Sequence, residues 1–222
     1  MKKTLKTLFI LSVVTFAAMN AQAQVSVNVD VMNRYVWRGT DFGNSPSIQP
    51  GISYTSGGLE VGGWAAFATN GNPAGSEIDW YASYTLGLGD GSLSIGLTDY
   101  TFPDTPTGNY FSGDSHFIEL GLGYSGPESF PISLSGGVFL TNDDDYSTYL
   151  ELGYTLSAID VFVGFTPTES ALYGTEGAGL INTGISTGKE IQVSDTFSFT
   201  LTSAAILNFH DENAFFLVGF SL

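Results

Sequence analysis

The amino-acid sequence predicts an all-β fold, a transmembrane antiparallel up-and-down β-barrel of about 12 strands. Three observations predict it. Apolar residues alternate with polar or small ones in twelve segments, which is the period of strands with unlike faces. Tight turns alternate with longer polar loops, and aromatic residues gather at both ends of the apolar faces.

The chain opens with Lys2, Lys3 and Lys6, an apolar run over 8–18, and the small-x-small triplet Ala21-Gln22-Ala23. This is the form of a secretory signal peptide cleaved after Ala23, and the run is too short for a spanning helix. Residues 1–23 are therefore expected to be the leader and 24–222 the barrel.

The first strand is expected over 25–38, with Val25, Val27, Val29 and Val31 on one face and Ser26, Asn28, Asp30 and Arg34 on the other. Segments 47–56, 59–68 and 77–86 follow, setting Ile52 and Tyr54 against Ser53, Val61 and Phe67 against Glu60, and Trp80 and Tyr84 against Asp79. The same pattern recurs at 92–101, 115–124, 132–140, 146–156, 159–166, 179–188, 195–206 and 213–222. In these, Leu120, Leu152 and Val161 oppose Glu119, Glu151 and Asp160. Pro50 has no N–H for a barrel ladder, so a bulge is expected there.

The connections divide in two. Gly57-Gly58, Gly87 to Gly91 and Ser157-Ala158 are tight, whereas 39–46, 69–76, 102–114, 141–145 and 167–178 are long and polar. Short turns at one end, long loops at the other and an even strand number describe an outer-membrane barrel with its turns in the periplasm.

A soluble sandwich also alternates, so aromatic placement decides between them. Tyr54, Tyr84, Tyr124 and Tyr154 fall on the apolar face near the turns, and Trp37, Phe67, Trp80 and Phe165 on the same face near the loops. Two such rings around an aliphatic band match the girdles at lipid headgroup level. No charge falls mid-band, where a basic residue would cost about 2–4 kcal/mol. Phe216, Val218, Phe220 and Leu222 alternate through the last strand, the segment that barrel-assembly machinery reads.

Composition narrows the function. Without the leader, only Arg34, Arg38 and Lys189 stand against 22 acidic residues, a net charge of −19. That surface repels nucleic acid, whose binding needs Lys and Arg on phosphates. There is no cysteine, so no disulfide framework holds the fold. The expected partners are outer-membrane lipid, the assembly machinery and small solutes.

The N-terminal third carries Tyr35-Val36-Trp37-Arg38-Gly39, Pro46-Ser47-Ile48-Gln49-Pro50-Gly51 and Gly62-Gly63-Trp64, followed by Glu77 to Thr85 and Asp99-Tyr100. These residues resemble the TorF-type porin family of exported outer-membrane barrels. The family pattern often has an acidic residue where this chain has Arg34. The resemblance implies a pore-forming role and supplies no catalytic residues.

On the alternation, Asp30, Arg34, Arg38, Glu60, Asp79, Glu119, Glu151 and Asp160 are expected to line the lumen. The excess of carboxylates predicts a weak preference for cations, if the lumen is open. Twelve strands lie between eight, whose interior side chains fill, and sixteen, whose interior holds water. A closed barrel serving as a structural or surface-binding protein is the alternative. Asn142-Asp143-Asp144-Asp145 lacks the spacing of an EF-hand loop and is expected to be a solvated acidic loop. Catalysis is not expected: Ser115 and His116 are adjacent and so would face opposite ways in a strand, and nothing marks a serine for His210. No phosphate cradle or zinc spacing appears, so neither cofactor nor metal is expected.

Overall fold

A computed structural model describes residues 23–106 and 108–222. Residues 1–22 of the expected leader lie outside the described residues. Twelve strands close into a barrel: β1 (Gln24–Met32), β4 (Ser47–Ser56), β5 (Leu59–Ala68), β6 (Glu77–Leu88), β7 (Gly91–Thr101), β8 (Phe117–Ser125), β9 (Ile132–Phe139), β10 (Thr148–Leu156), β11 (Ile159–Thr166), β12 (Gly179–Ser194), β13 (Phe197–Asn208) and β14 (Asn213–Ser221). Each pairs antiparallel with its neighbours in the chain, and β1 pairs β14 to close the wall. The remaining two, β2 (Tyr35–Trp37) and β3 (Thr40–Phe42), form a separate hairpin.

The wall is built as the alternation requires. Outward positions are exposed although apolar: Val27 at 70%, Leu122 at 59%, Trp80 at 51% and Phe216 at 67%. In water such a belt would be a large unfavourable surface; hydrocarbon removes that cost, and closure leaves the wall without a free edge. Tyr54, Tyr84 and Tyr154 are exposed near the turns, and Phe67, Trp80 and Phe165 near the loops.

Three expectations are corrected. The first strand does not run to residue 38: β1 ends at Met32, and the next fourteen residues leave the wall. Trp37 is therefore not part of the outer aromatic ring, and 39–46 is not simply an external loop, because both belong to the separate hairpin and its approach to β4. Pro50 induces no bulge: β4 and β5 lack pairing at Gln49 and Pro50, yet the register is the same at Ile48↔Phe67 and at Gly51↔Trp64. The missing N–H removes a rung without adding a residue. Register shifts occur instead at Gly164/Phe165 between β11 and β12 and at Gln192/Ser194 between β12 and β13. The latter pair also runs further than expected, to a turn at 195–196.

The closing seam is short. β1 and β14 share three registered pairs, Asp30↔Ser221, Val31↔Phe220 and Met32↔Gly219, whereas β1 and β4 share nine. Asn33 extends the seam by donating its Nδ2 to the Phe216 carbonyl at 2.9 Å and accepting the Val218 N–H at 2.9 Å.

Candidate functional site: a constriction built on an inward hairpin

The hairpin turns through Arg38 and Gly39, at φ 47° and 78°. Two left-handed residues between paired Trp37 and Thr40 make the tight connection whose twist suits a two-stranded ribbon. Gly39 is required twice over. Its φ favours glycine, and a Cβ there would lie 1.9 Å from the Ile181 carbonyl oxygen. The tip therefore abuts the wall at β12, and Asn208 Nδ2 on β13 holds it by donating to the Gly39 carbonyl at 3.2 Å.

Arg38 anchors the hairpin. Its Nη1 and Nη2 donate to the two carboxylate oxygens of Glu119 on β8 at 2.6 and 3.1 Å, and Nη1 also donates to the Tyr173 hydroxyl at 2.7 Å. The guanidinium lies 4.4 Å from the Trp37 ring and 4.3 Å from the Tyr149 ring, so it is sandwiched between two π faces. Planar, bidentate and stacked contacts together are what arginine can make and lysine cannot. Glu119 is satisfied further by the Tyr100 hydroxyl at 2.9 Å.

The network then spreads around the wall. Tyr149 donates to Glu151, and Asn182 Nδ2 donates to the Tyr149 hydroxyl at 2.8 Å and to Glu151 at 2.9 Å. On the other side Tyr35 donates to Glu77 at 2.9 Å and packs on Phe42 and Trp64 with ring centroids 5.4 and 5.3 Å apart. Trp37 meets Tyr100, Phe139 and Tyr173 at 5.7 to 6.4 Å. Tyr173 comes from the 167–178 loop, which thus folds inward as well; Asp145 fastens that loop by accepting the Ala171 N–H at 2.9 Å.

The eight residues expected in the lumen occupy different settings. Arg38, Glu119, Glu151 and Asp79 lie at the constriction, and Asp79 is buried with one carboxylate oxygen lacking a hydrogen-bond partner. Arg34 stands at its mouth, paired with Asp41 and Asn44 of the hairpin segment. Asp30 lies near the loop-side end of β1, paired in register with Gln49. Glu60 and Asp160 lie nearer the turns, where Glu60 accepts from the Tyr81 hydroxyl at 3.0 Å and Asp160 from Thr155 at 2.7 Å. Around them many inward positions are small, among them Gly62, Ser83, Ser94, Gly96, Gly121 and Gly153, with Tyr81 and Phe162 the larger exceptions. Both arginines are matched by carboxylates at the constriction, and Lys189 takes an outward position on β12, so the turn-side lumen carries carboxylates and no cation among the described residues.

Sequence reasoning missed Tyr35, Tyr100, Tyr149, Tyr173 and Asn182. The available signal was length: a strand over 25–38 would have 14 residues, when a membrane strand needs about 9–11.

The histidines do not form a nucleophile-activating pair with a serine. His116 Nδ1 meets Asp99 at 2.8 Å and Nε2 meets the Tyr110 carbonyl at 2.8 Å, while the Ser115 hydroxyl donates to the Asn109 carbonyl at 2.6 Å. With acceptors on both ring nitrogens the imidazolium is favoured, and the Asp99 carboxylate raises the His116 pKa above its ordinary value. His210 Nε2 donates to the Gly174 carbonyl at 3.1 Å. In the acidic loop, Asp143 accepts the Asp145 and Ser147 N–H groups. No group of three or more potential metal ligands converges among the described residues.

Comparison with curated proteins finds no match. Among solved structures, outer membrane phospholipase A from Escherichia coli is similar at 10% identity over 87% of each chain with a TM-score of 0.39, a likeness too distant to carry its activity across. The profile of the Gcw_chp family, described as a bacterial protein of unknown function, matches residues 17–160 and so takes in the hairpin, Glu119 and Glu151. With well over half its length covered by that match, the chain belongs to the Gcw_chp family of bacterial proteins.

Proposed function

We propose that the protein is an outer-membrane barrel forming a small, weakly cation-leaning diffusion channel for small solutes, which the inward hairpin holds narrow. The observation that carries this reading is the contrast inside the lumen. Small residues and carboxylates without a cation line the turn side, and a ring of paired charges and aromatic side chains constricts the loop side. Confined carboxylates attract cations. An apolar belt between two aromatic rings supports placement in a bilayer, and the leader-like start supports export to the outer membrane. The TorF-type porin resemblance, whose Tyr35 to Gly39 motif forms the first strand and turn of the hairpin, supports the same reading.

The filled loop-side lumen favours a second reading, a closed barrel that acts through its surface loops, where Phe111 is 95% exposed. Reconstitution into a planar bilayer under a potassium chloride gradient separates the two. The channel reading expects a cation-signed reversal potential in the wild type and larger conductance steps in Arg38→Ala. An anion-signed potential refutes the selectivity, and absence of conductance in both proteins refutes the channel and leaves the closed barrel.

A further inference from the structure

The outer wall is not evenly convex. A groove of about 800 Å³ crosses the apolar face at β8, β9 and β10 and reaches β6 and β11 at its ends. Its floor is Gly136, which alternation places outward; a Cβ there would come 2.8 Å from Leu150 Cδ2. Leu122, Leu134 and Leu152 form the walls. The two ends differ. Tyr84 and Tyr124 close the turn-side end, and neither hydroxyl is hydrogen-bonded within the described residues. Phe165 and Thr148 close the loop-side end, and the Thr148 hydroxyl is already committed to the Tyr146 carbonyl at 3.0 Å.

We infer that this groove is a binding site for one glycerophospholipid of the turn-side leaflet. An acyl chain lies in the trough over Gly136, and Tyr84 and Tyr124 donate to the ester or phosphate oxygens at its head. The inference rests on the membrane placement proposed above. Three features select this occupant. The trough lies wholly within the apolar belt, so its surroundings are hydrocarbon. A floor one glycine wide between leucine tips admits a chain, whereas a partner helix measures about 10–12 Å across. The free donors sit at one end only, the head-and-tail polarity of a lipid, and tyrosine is a residue whose apolar ring and polar tip suit that depth.

The test is titration of the full chain, extracted in mild detergent, with dipalmitoyl phosphatidylethanolamine, read by native mass spectrometry. Folding is checked by the mobility difference between heated and unheated samples. The inference expects one saturable lipid on the wild type. Gly136→Leu, which fills the trough, weakens it by at least about tenfold, since several methylenes lose their seat. Tyr84→Phe with Tyr124→Phe leaves the trough intact and weakens it about threefold to tenfold through the lost hydrogen bonds. If Gly136→Leu does not fold, Leu122→Trp narrows the trough from its wall and takes its place. Unsaturable stepwise adducts that are equal in wild type and variants overturn the site while leaving the membrane placement standing. A chain that stays folded and monomeric without any detergent overturns the placement, and the site with it.

Discussion

The two halves of the lumen use the same wall to opposite ends. Toward the loops, inward positions are large and linked: Arg38, Glu119, Tyr100, Tyr149 and Asn182 each satisfy another. Toward the turns, most inward positions are glycine, serine and threonine, with Tyr81 and Phe162 the larger exceptions. The carboxylates Glu60 and Asp160 have one hydroxyl partner each and no cation among the described residues. A barrel wall prescribes only the direction of a side chain, inward or outward; whether the interior is filled depends on the segments that enter it. Here one hairpin and one loop fill half of it.

The largest expected effect tests the filled half. Arg38→Ala leaves Glu119 buried with only Tyr100 for support, and breaking a buried ion pair costs about 3–5 kcal/mol. Urea unfolding in lipid vesicles should show that loss, together with a rise in conductance. Replacing both partners, Arg38→Met with Glu119→Met, should recover most of the stability. If Arg38→Ala unfolds like the wild type, the constriction is not held by this pair.

Gly39→Ala strikes the tip and should cost about 1–3 kcal/mol, because its Cβ meets the Ile181 carbonyl and its backbone is left-handed. The matching change in the turn-side region, Gly57→Ala, has a similar φ of 62° but nothing within 4 Å of the new Cβ. It should cost about 1 kcal/mol, the backbone strain alone. Equal losses at the two glycines would erase the distinction between a packed and an open end.

The open half is sharpened by charge. Glu60→Gln with Asp160→Asn should move the reversal potential toward zero with little change in stability, within about 0.5 kcal/mol per site. An unchanged potential would mean that the constriction alone selects ions.

The smallest effect lies outside the lumen. His116 ties the 102–116 loop to Asp99 and Tyr110, and its folded pKa is raised by the Asp99 carboxylate. The attachment is therefore fully present below the ordinary histidine value of about 6.5 and is lost as pH rises through the higher folded value. Limited proteolysis of this loop should quicken with rising pH in the wild type and be independent of pH in His116→Asn.

Much of the wall was legible in the sequence because a strand repeats every two residues and belongs to a surface with two unlike solvents. Leu93, Ile95 and Leu97 needed no tertiary information to be placed outward. The constriction was harder. Arg38 and Glu119 were readable as inward, yet they are 81 positions apart, and no local period states that they meet. Trp37 misled for a physical reason: an aromatic at strand phase near a loop fits a girdle and a lumen plug equally well. What separates them is whether the chain stays in the wall after Met32, and that is decided by the left-handed pair Arg38-Gly39 and by the partners waiting across the barrel. Tyr173 gave no periodic signal, since it lies in an irregular loop.

The brief β1–β14 junction couples the wall to what fills it. The residues that stitch it, Val29 to Asn33, run directly into the hairpin, so the suture of the cylinder and the stem of its cork are one continuous piece of chain. An unzipped junction would leave the cork untethered at its root, and the closed junction holds that root where Arg38 meets Glu119. Opening the junction would therefore loosen the wall and the stopper together, because one stretch of chain serves both.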